Sequence, residues 1–279
     1  MVQEAHGFSE RRACKLLGQS RSTQRRQPPA VPDLEQRIRA RLRELARQRP
    51  RYGHRRMTAL LRREGFCVNH KRVQRLCRDE GLRVLVRPRK RMRLGTSTVP
   101  ADRLRAAHPD QVWAIDFCFD QTADLRTLKI LAVTDEFTKE AMAIEVDRSI
   151  DADHAVAVLE TIVASRGRHP EHLRMDNGPE LTANALRDWC RFSGAGTSYI
   201  EPGSPWENPF IESFNGKLRD ELLAGEVFET LLEAKVLAED FRTDYNDYRP
   251  HSSLGYLAPS KFAEQWATNQ SRLSNEVAP

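Results

Sequence analysis

Apolar residues recur at the three- and four-residue steps of a helix face through the N-terminal third of the chain. The pattern predicts helices over residues 10–17, from residue 20, from residue 33, over residues 57–64 and over residues 70–80. In the last of them Val73, Leu76 and Cys77 form the buried stripe, with Asn69 as the expected N-cap and Gly81 as the stop signal. The N-terminal third is therefore predicted to be all-α.

The last two predicted helices, with the turn at Gly65, are the parts of a helix-turn-helix DNA reader. The second helix leaves basic side chains outside its buried stripe, and the candidate DNA contacts are Lys71, Arg72, Arg75 and Arg78. A helical hairpin whose basic face is only solvated is the alternative, because such hairpins are common.

After Pro109 the pattern changes to short apolar strands that alternate with helices. Short connections predict an antiparallel meander of strands over residues 112–119, 128–134 and 141–146. A helix from Asp151 or Asp153 to about Ser165 follows, and then a strand over residues 173–175, a helix over 181–192, a strand over 196–200 and a helix over 209–223. This order predicts an α/β domain with a mixed five-stranded sheet flanked by helices.

The two patterns and the segments between them predict six regions along the chain. A helical, helix-turn-helix-like arm is expected over residues 1–48 and a helix-turn-helix unit over residues 49–86. A basic linker is expected over residues 87–108, the α/β core over 109–225, its C-terminal helical extension over 226–265 and a disordered tail over 266–279. The linker candidates for phosphate contacts are Arg89, Lys90 and Arg91, and a flexible solvated linker is the alternative.

The net charge of +6 hides a division between the two parts of the chain. Residues 1–100 carry a net charge of +19 from 27 basic and 8 acidic residues, and residues 101–279 carry −13. Arginine supplies 24 of the 27 bases, and its planar fork of donors suits phosphate groups. The asymmetry predicts an arm that binds a polyanion, joined to a domain that uses carboxylates. Two surfaces of opposite sign that pack together are the alternative.

Composition excludes several classes of protein. No apolar run approaches about 18 residues and the start of the chain lacks the apolar core of a secretory signal, so no membrane-spanning segment is expected. Five scattered cysteines imply no disulfide framework and fit a reducing cytoplasm. A zinc site made of Cys67, His70 and Cys77 with His54 is an alternative whose spacing matches no usual zinc finger.

Three acids stand where the predicted elements can deliver their side chains to one place. Asp116 lies inside an otherwise apolar strand, Asp176 ends a second strand, and Glu212 lies in a helix that starts near Pro209. Such a cluster stays ionised only if cations neutralise it, and hard oxygen ligands select Mg²⁺ or Mn²⁺. Two such ions activate attacking and leaving oxygens in phosphoryl transfer. Taken singly, Asp116 could be a hydrogen-bonded strand residue, Asp176 a turn former and Glu212 a helix-surface acid.

The chain resembles the DDE transposases and retroviral-type integrases in three runs, which are WAIDF from Trp113, MDNGPE from Met175 and NPFIESFN from Asn208. The 35 residues between Asp176 and Glu212 match the signature spacing of that superfamily. A C-terminal motif, YNDYRPHSSLGYLAP over Tyr245–Pro259, is similar to the ending of bacterial insertion-sequence transposases of the OrfB type. The resemblance covers nearly the whole chain.

The resemblance implies an RNase H-like fold and DNA transposition by metal-dependent cleavage at insertion-sequence ends, followed by strand transfer through 3′-hydroxyl attack. Asp116, Asp176 and Glu212 would be the catalytic residues and would hold two Mg²⁺ (or Mn²⁺) ions. Further DNA contacts that it implies are Arg219, Lys217 and Asn177.

The same resemblance implies partners and a location. Double-stranded DNA is the expected partner, as the terminal inverted repeats of the element and as target DNA. A homo-oligomer on DNA, a possible partner or fusion from an upstream reading frame, and a nucleoid-associated cytoplasmic location are also expected. Two other functions remain open, namely a DNA-binding regulator with an inactive core and a metal-dependent nuclease of the same fold.

Overall fold

The helices and strands follow the predicted order closely. The computed structural model describes residues 7–25, 32–82, 84, 104–175, 184–199 and 209–277. The elements before the sheet are α1 (Glu10–Leu17), α2 (Arg21–Gln24), α3 (Asp33–Gln48), α4 (His54–Arg63) and α5 (His70–Asp79). They are followed by β1 (Val112–Gln121), β2 (Thr127–Asp135), β3 (Ala141–Asp147), α6 (Ala152–Arg166), β4 (His172–Met175), α7 (Asn184–Ser193) and β5 (Gly196–Tyr199). The C-terminal elements are α8 (Pro209–Leu218), a π-helical turn (Arg219–Leu223), α9 (Leu231–Asp247), a 3₁₀ turn (Ser252–Leu254) and α10 (Pro259–Val277).

Helices α3, α4 and α5 form one domain around a shared apolar core, and residues 32–82 are called the helical unit below. The core joins residues from all three helices, namely Ile38, Leu42, Leu45, Met57, Leu60, Leu61, Val73, Leu76 and Cys77. The predicted N-cap is confirmed, because Asn69 Oδ1 accepts the backbone N–H of Lys71 at 3.0 Å. The predicted boundary between residues 48 and 49 is wrong, because the apolar stripe of α3 packs inside this core.

The predicted five-stranded mixed sheet is confirmed, with the strand order β3-β2-β1-β4-β5. Strand β1 pairs antiparallel with β2, and β2 with β3, as short connections require. Strand β4 runs parallel to β1 and β5 parallel to β4, because α6 and α7 supply the crossovers.

Helices cover both faces of the sheet, in the RNase H-like arrangement that the resemblance implies. On one face Ala114 and Cys118 of β1 pack with Ile211 and Phe214 of α8, together with side chains of α9. On the other face the alternate residues of β1, including Trp113, pack against α6 and α7. The apolar residues of β1 from Trp113 to Cys118 are thereby divided between the two helical layers. Within the described residues, no helix is both long and apolar enough to cross a membrane.

The C-terminal elements differ from the prediction at two places. The helix expected over residues 209–223 is α-helical only to Leu218, and its last turn is a π-helix closed by the bond from Ala224 N–H to the Arg219 carbonyl at 2.8 Å. A disordered tail is wrong for residues 266–277, which continue α10. This helix is seated on the core because Trp266 packs edge-on against Phe137, with ring centroids 4.6 Å apart.

The helical unit lies against the C-terminal part of the core. Arg49 forms an ion pair with Asp244, and Arg56 Nη1 lies 3.0 Å from Glu221 Oε1. The packing of oppositely charged surfaces, one of the two interpretations of the charge division, therefore holds for these residues.

Candidate active site

Asp116 occupies the face of β1 that α8 covers. Its side chain is half-buried, and it lies between Ala114 and Cys118 on the same side of the strand. Asp116 Oδ1 accepts the backbone N–H of Phe117 at 2.8 Å, and Oδ2 accepts Asn215 Nδ2 at 2.8 Å. Asn215 belongs to α8, so the helix and the strand are joined at the predicted catalytic carboxylate.

Glu212 lies three residues before Asn215 in the first turn of α8. Residues three apart on a helix are neighbours on one face, so Glu212 lies one turn from the amide that holds Asp116. Its side chain is exposed. The structure thus brings two of the three predicted catalytic residues to one junction, between β1 and the start of α8.

The third predicted ligand, Asp176, lies outside the described residues, as does Asn177. Strand β4 ends at Met175, one residue after Arg174, which pairs with Ala114 of the parallel strand β1. Asp116 is two residues beyond Ala114, so β4 ends beside the part of β1 that carries Asp116. Among the described residues no three His, Cys, Asp or Glu side chains form a group that could hold a metal ion.

The donors at this junction suit a hard cation. Asn215 Oδ1 is buried and has no hydrogen-bond partner among the described residues, an arrangement that costs about 1–3 kcal/mol if it stays unsatisfied. The carboxylates of Asp116 and Glu212 add further oxygen ligands of the kind that Mg²⁺ and Mn²⁺ prefer. These oxygen donors are therefore of the chemical type that a divalent ion prefers.

Cys118 is the nucleophilic side chain nearest to Asp116 in the strand, and it is held protonated. Burial raises the pKa of the Cys118 thiol to about 12. A protonated thiol is neither a nucleophile nor a metal ligand at neutral pH. Cys118 is therefore not the candidate nucleophile of this junction.

Lys217 and Arg219, two predicted DNA contacts, line a cavity of about 1360 Å³ between the helical unit and the core. Lys217 Nζ donates to Ser213 Oγ at 3.0 Å, on a different face of α8 from Glu212. Burial lowers the pKa of Lys217 to about 8, and the charges of Arg249 and Arg56 act in the same direction. Arg219 is exposed at the start of the π-helical turn.

The cavity is called the basic cleft because nine of its lining residues are Arg, Lys or His. They are Arg51, His54, Arg55, Arg56, Lys139, Lys217, Arg219, Arg249 and His251. The acids that line it are Asp135, Asp220 and Glu221. Most of these residues were not candidates in the sequence, since the cleft exists only where distant segments meet.

The predicted contacts on α5 divide into two groups. Arg72 and Arg75 each lie within 3.2 Å of Glu35 Oε2, a carboxylate of α3. Lys71 and Arg78 are exposed and make no ion pair with a described residue. The linker candidates Arg89, Lys90 and Arg91 lie outside the described residues. Within α5, two of the four basic side chains are therefore directly available to DNA.

Comparison with known proteins gives matches along most of the chain. Models described as an integrase core domain match residues 106–205 and 193–259, and a model described as an HTH-like domain matches residues 33–91. A protein of insertion element IS407 from Burkholderia multivorans is 44% identical, over 94% of this chain and 93% of its own length. The transposase InsD of insertion element IS2 from Escherichia coli is 30% identical, over 79% of this chain and 76% of its own length. The HTLV-2 integrase catalytic core domain in complex with magnesium superposes with a TM-score of 0.46 at 15% identity, over 57% of this chain and 99% of that one.

Proposed function

Because the chain belongs to the insertion-element transposases with an integrase core, we propose that it cuts DNA at the ends of an insertion element and joins the exposed 3′-hydroxyl to another phosphodiester. The observation that carries this proposal is the hydrogen bond of 2.8 Å between Asn215 Nδ2 and Asp116 Oδ2. This bond joins α8 to β1, and Glu212 lies one helical turn before the bonding residue Asn215.

Asp116 and Glu212, with Asp176, would hold two Mg²⁺ (or Mn²⁺) ions. When bound, the ions would activate the attacking oxygen and stabilise the leaving oxygen. Asn215 and the Phe117 backbone N–H occupy one position on each Asp116 oxygen, which orients the carboxylate before any ligand binds. The protein's own part in the chemistry is therefore orientation of the ligand oxygens.

DNA binding is shared between α5 and the basic cleft in this proposal. Lys71 and Arg78 would contact phosphates or base edges first, and Arg72 and Arg75 would join them by leaving Glu35. Lys217, Arg219 and Asn177 would hold the DNA strand that is cut, and Arg89, Lys90 and Arg91 would follow the backbone between the two regions. The partners proposed are the terminal inverted repeats, target DNA and further copies of this chain assembled on DNA.

Glu212→Gln tests the assignment of the active site. The change keeps the size of the side chain but removes a charged ligand, so Mg²⁺-dependent cleavage of an oligonucleotide carrying the element end should fall by at least about 10²-fold. Binding of the same oligonucleotide should be retained. Glu226→Gln, an exposed acid beyond the π-helical turn, is the matched control and should cleave as the parent does.

Two outcomes would contradict the proposal. Retained cleavage by Glu212→Gln would remove Glu212 from the metal site. A strand-transfer assay on the parent protein distinguishes the other functions, because a nuclease cleaves without joining and a regulator binds DNA without doing either.

A further inference from the structure

The C-terminal motif Tyr245–Pro259 supplies none of the proposed metal ligands, and the helical unit is seated on it. The guanidinium of Arg63, at the end of α4, donates to the Tyr248 carbonyl at 2.7 Å and to the Tyr256 carbonyl at 2.8 Å. One side chain of the helical unit thus spans both sides of the turn in the motif. Since both acceptors are backbone atoms, the contact depends on the shape of the turn.

Tyr248 adds an apolar contact to the same surface. Its ring packs against the apolar core of the helical unit, although the residue belongs to the C-terminal motif. The Arg49 guanidinium lies 5.2 Å from the centre of this ring and also pairs with Asp244, one residue before the motif. The ring of Tyr248 therefore contacts both the apolar core and a cation of the helical unit.

A buried ion pair anchors the motif beneath the helical unit. Arg249 Nε lies 2.7 Å from Glu221 Oε2, and its Nη2 bonds the other oxygen, so the pair is bidentate. The side chains of Arg249 and Glu221 are only 2% and 10% exposed. Arg56 of the helical unit binds the same carboxylate at 3.0 Å. Burial tends to raise the pKa of Glu221, but Arg249 and Arg56 hold that pKa below its usual value and keep the carboxylate charged.

These contacts use positive charge that would otherwise be available to DNA. Arg49, Arg56 and Arg63 all bind acceptors of the α/β core or its C-terminal extension, and such contacts, with the packing of Tyr248, fix the orientation of the helical unit. A covalent connection alone sets the local concentration of the helical unit near the core, without selecting an orientation. The basic cleft, which both domains line, depends on that orientation.

We propose that the C-terminal motif is the seat of the helical unit, and that the seated unit determines which phosphodiester is cut. The DNA sequence bound by α5 would then lie at a set distance from Asp116 and Glu212 along one duplex. Arg63 is a positioning residue in this proposal, and the occupant of the seat is the helical unit of the same chain. The inference rests on the proposed function, because it concerns the position of the cut.

The test compares Arg63→Gln with Arg62→Gln in the full chain. Both changes remove one positive charge from α4, but Arg62 Nε donates to the Val68 carbonyl inside the helical unit, so its loss leaves the seat intact. On end-labelled DNA carrying the element end, Arg63→Gln should cut at several neighbouring phosphodiesters, while Arg62→Gln and the parent cut at one. Affinity for the DNA should change by no more than about threefold, since no phosphate contact is lost.

Amide hydrogen exchange of the free protein provides a readout that needs no cleavage. Arg63→Gln should speed exchange in residues 248–257, and Arg62→Gln should not. A single, unchanged cutting position in Arg63→Gln would overturn the inference even if exchange becomes faster. If the parent protein does not cut DNA, the proposed function fails, while unchanged exchange in Arg63→Gln would separately refute the seat.

A cross-link identifies the occupant of the seat. Arg49→Cys and Asp244→Cys in a Cys67→Ser background can be joined by a short bis-maleimide, because Cys67 is the exposed native cysteine. A monomeric product on a denaturing gel supports seating within one chain. A predominantly dimeric product would contradict it and place the helical unit on a second copy.

Discussion

At the scale of single residues, the catalytic candidates differ in how their neighbours fix them. Asp116 is half-buried and accepts two hydrogen bonds, whereas Glu212 is exposed on the first turn of α8. If both hold a cation as proposed, Asp116 would be the rigid ligand and Glu212 the adaptable one. Asn215, the last residue of the NPFIESFN run, binds Asp116, but nothing in the sequence of that run indicates this contact.

Lys217 gives a prediction about pH. Its pKa is lowered to about 8, chiefly by burial, so the proton that a phosphate contact needs is lost as the pH rises through about 8. We expect DNA affinity to fall between pH 7 and pH 9 in the parent and to fall less in Lys217→Arg, whose guanidinium stays charged. Fluorescence anisotropy at constant salt measures both.

Lys261→Arg is the control for that pH dependence, since Lys261 is exposed and its bond with Glu264 raises its pKa. An equal decline with pH in Lys217→Arg and the parent would show that Lys217 does not contact DNA. The stability of the folded protein changes with pH in the opposite direction to the expected DNA affinity. Between about pH 8 and 10.5 the unfolded chain binds more protons at Lys217 than the folded protein does. The folded protein therefore becomes more stable, through Lys217, as the pH rises in that range.

At the scale of elements, local signals explain why most helices and strands could be predicted. The Asn69 cap and the stripe of Val73 and Leu76 lie within α5 itself, so the sequence contains everything needed to place that helix. The α-to-π transition at Arg219 and the extension of α10 depend on contacts with distant elements, such as Trp266 with Phe137. Local periodicity in the sequence therefore could not predict where the π-helical turn begins or how far α10 extends.

Helices α3 and α5 give a prediction about how many basic side chains of α5 are available to bind DNA. Glu35 binds both Arg72 and Arg75, and its own pKa is lowered first by Arg39 and then by Arg72. Glu35→Gln should release the two arginines of α5, strengthen non-specific DNA binding and steepen the dependence of log K on log salt by about 1–2. Titrations at several salt concentrations measure this slope.

Glu44→Gln is the matched control, because it makes the same charge change on α3 but leaves Arg72 and Arg75 paired, and Arg41 stays bound to Glu64. A larger slope in both variants would show that overall charge is responsible. An unchanged slope in Glu35→Gln would mean that Arg72 and Arg75 do not reach the DNA.

At the scale of the whole molecule, the opposite charges of the two parts serve contact between domains as well as DNA binding. The division of +19 and −13 was visible in the sequence, but the pairs that use it, such as Arg56 with Glu221, join segments 165 positions apart. Charge counts do not distinguish a phosphate partner from a carboxylate of the same chain. Only the fold shows which arginines are already occupied.

Removal of residues 1–103 tests this dual use. The α/β core should fold, but Glu221 loses Arg56 and the ring of Tyr248 loses its cover, so we expect its thermal midpoint to fall by about 5 °C. Binding to element ends should be lost. Circular dichroism melting and fluorescence anisotropy are the measurements. Removal of residues 1–31, which takes away α1 and α2, is the control for stability. An equal fall of the thermal midpoint in both truncations would show that the contact between the helical unit and the core does not stabilise the protein.

The π-helical turn Arg219–Leu223 changes the direction in which the side chains after it project, relative to those of α8 before it. A π-helical turn is an α-helix with one residue inserted, and each residue of an α-helix advances by about 100°. Deleting one residue from this turn would restore α-helical pitch and rotate Glu221 by that angle, away from Arg249, while Glu212 and Asn215 would keep their places. The single inserted residue therefore rotates one end of the segment relative to the other, so the same segment directs Asn215 to Asp116 and Glu221 to Arg249.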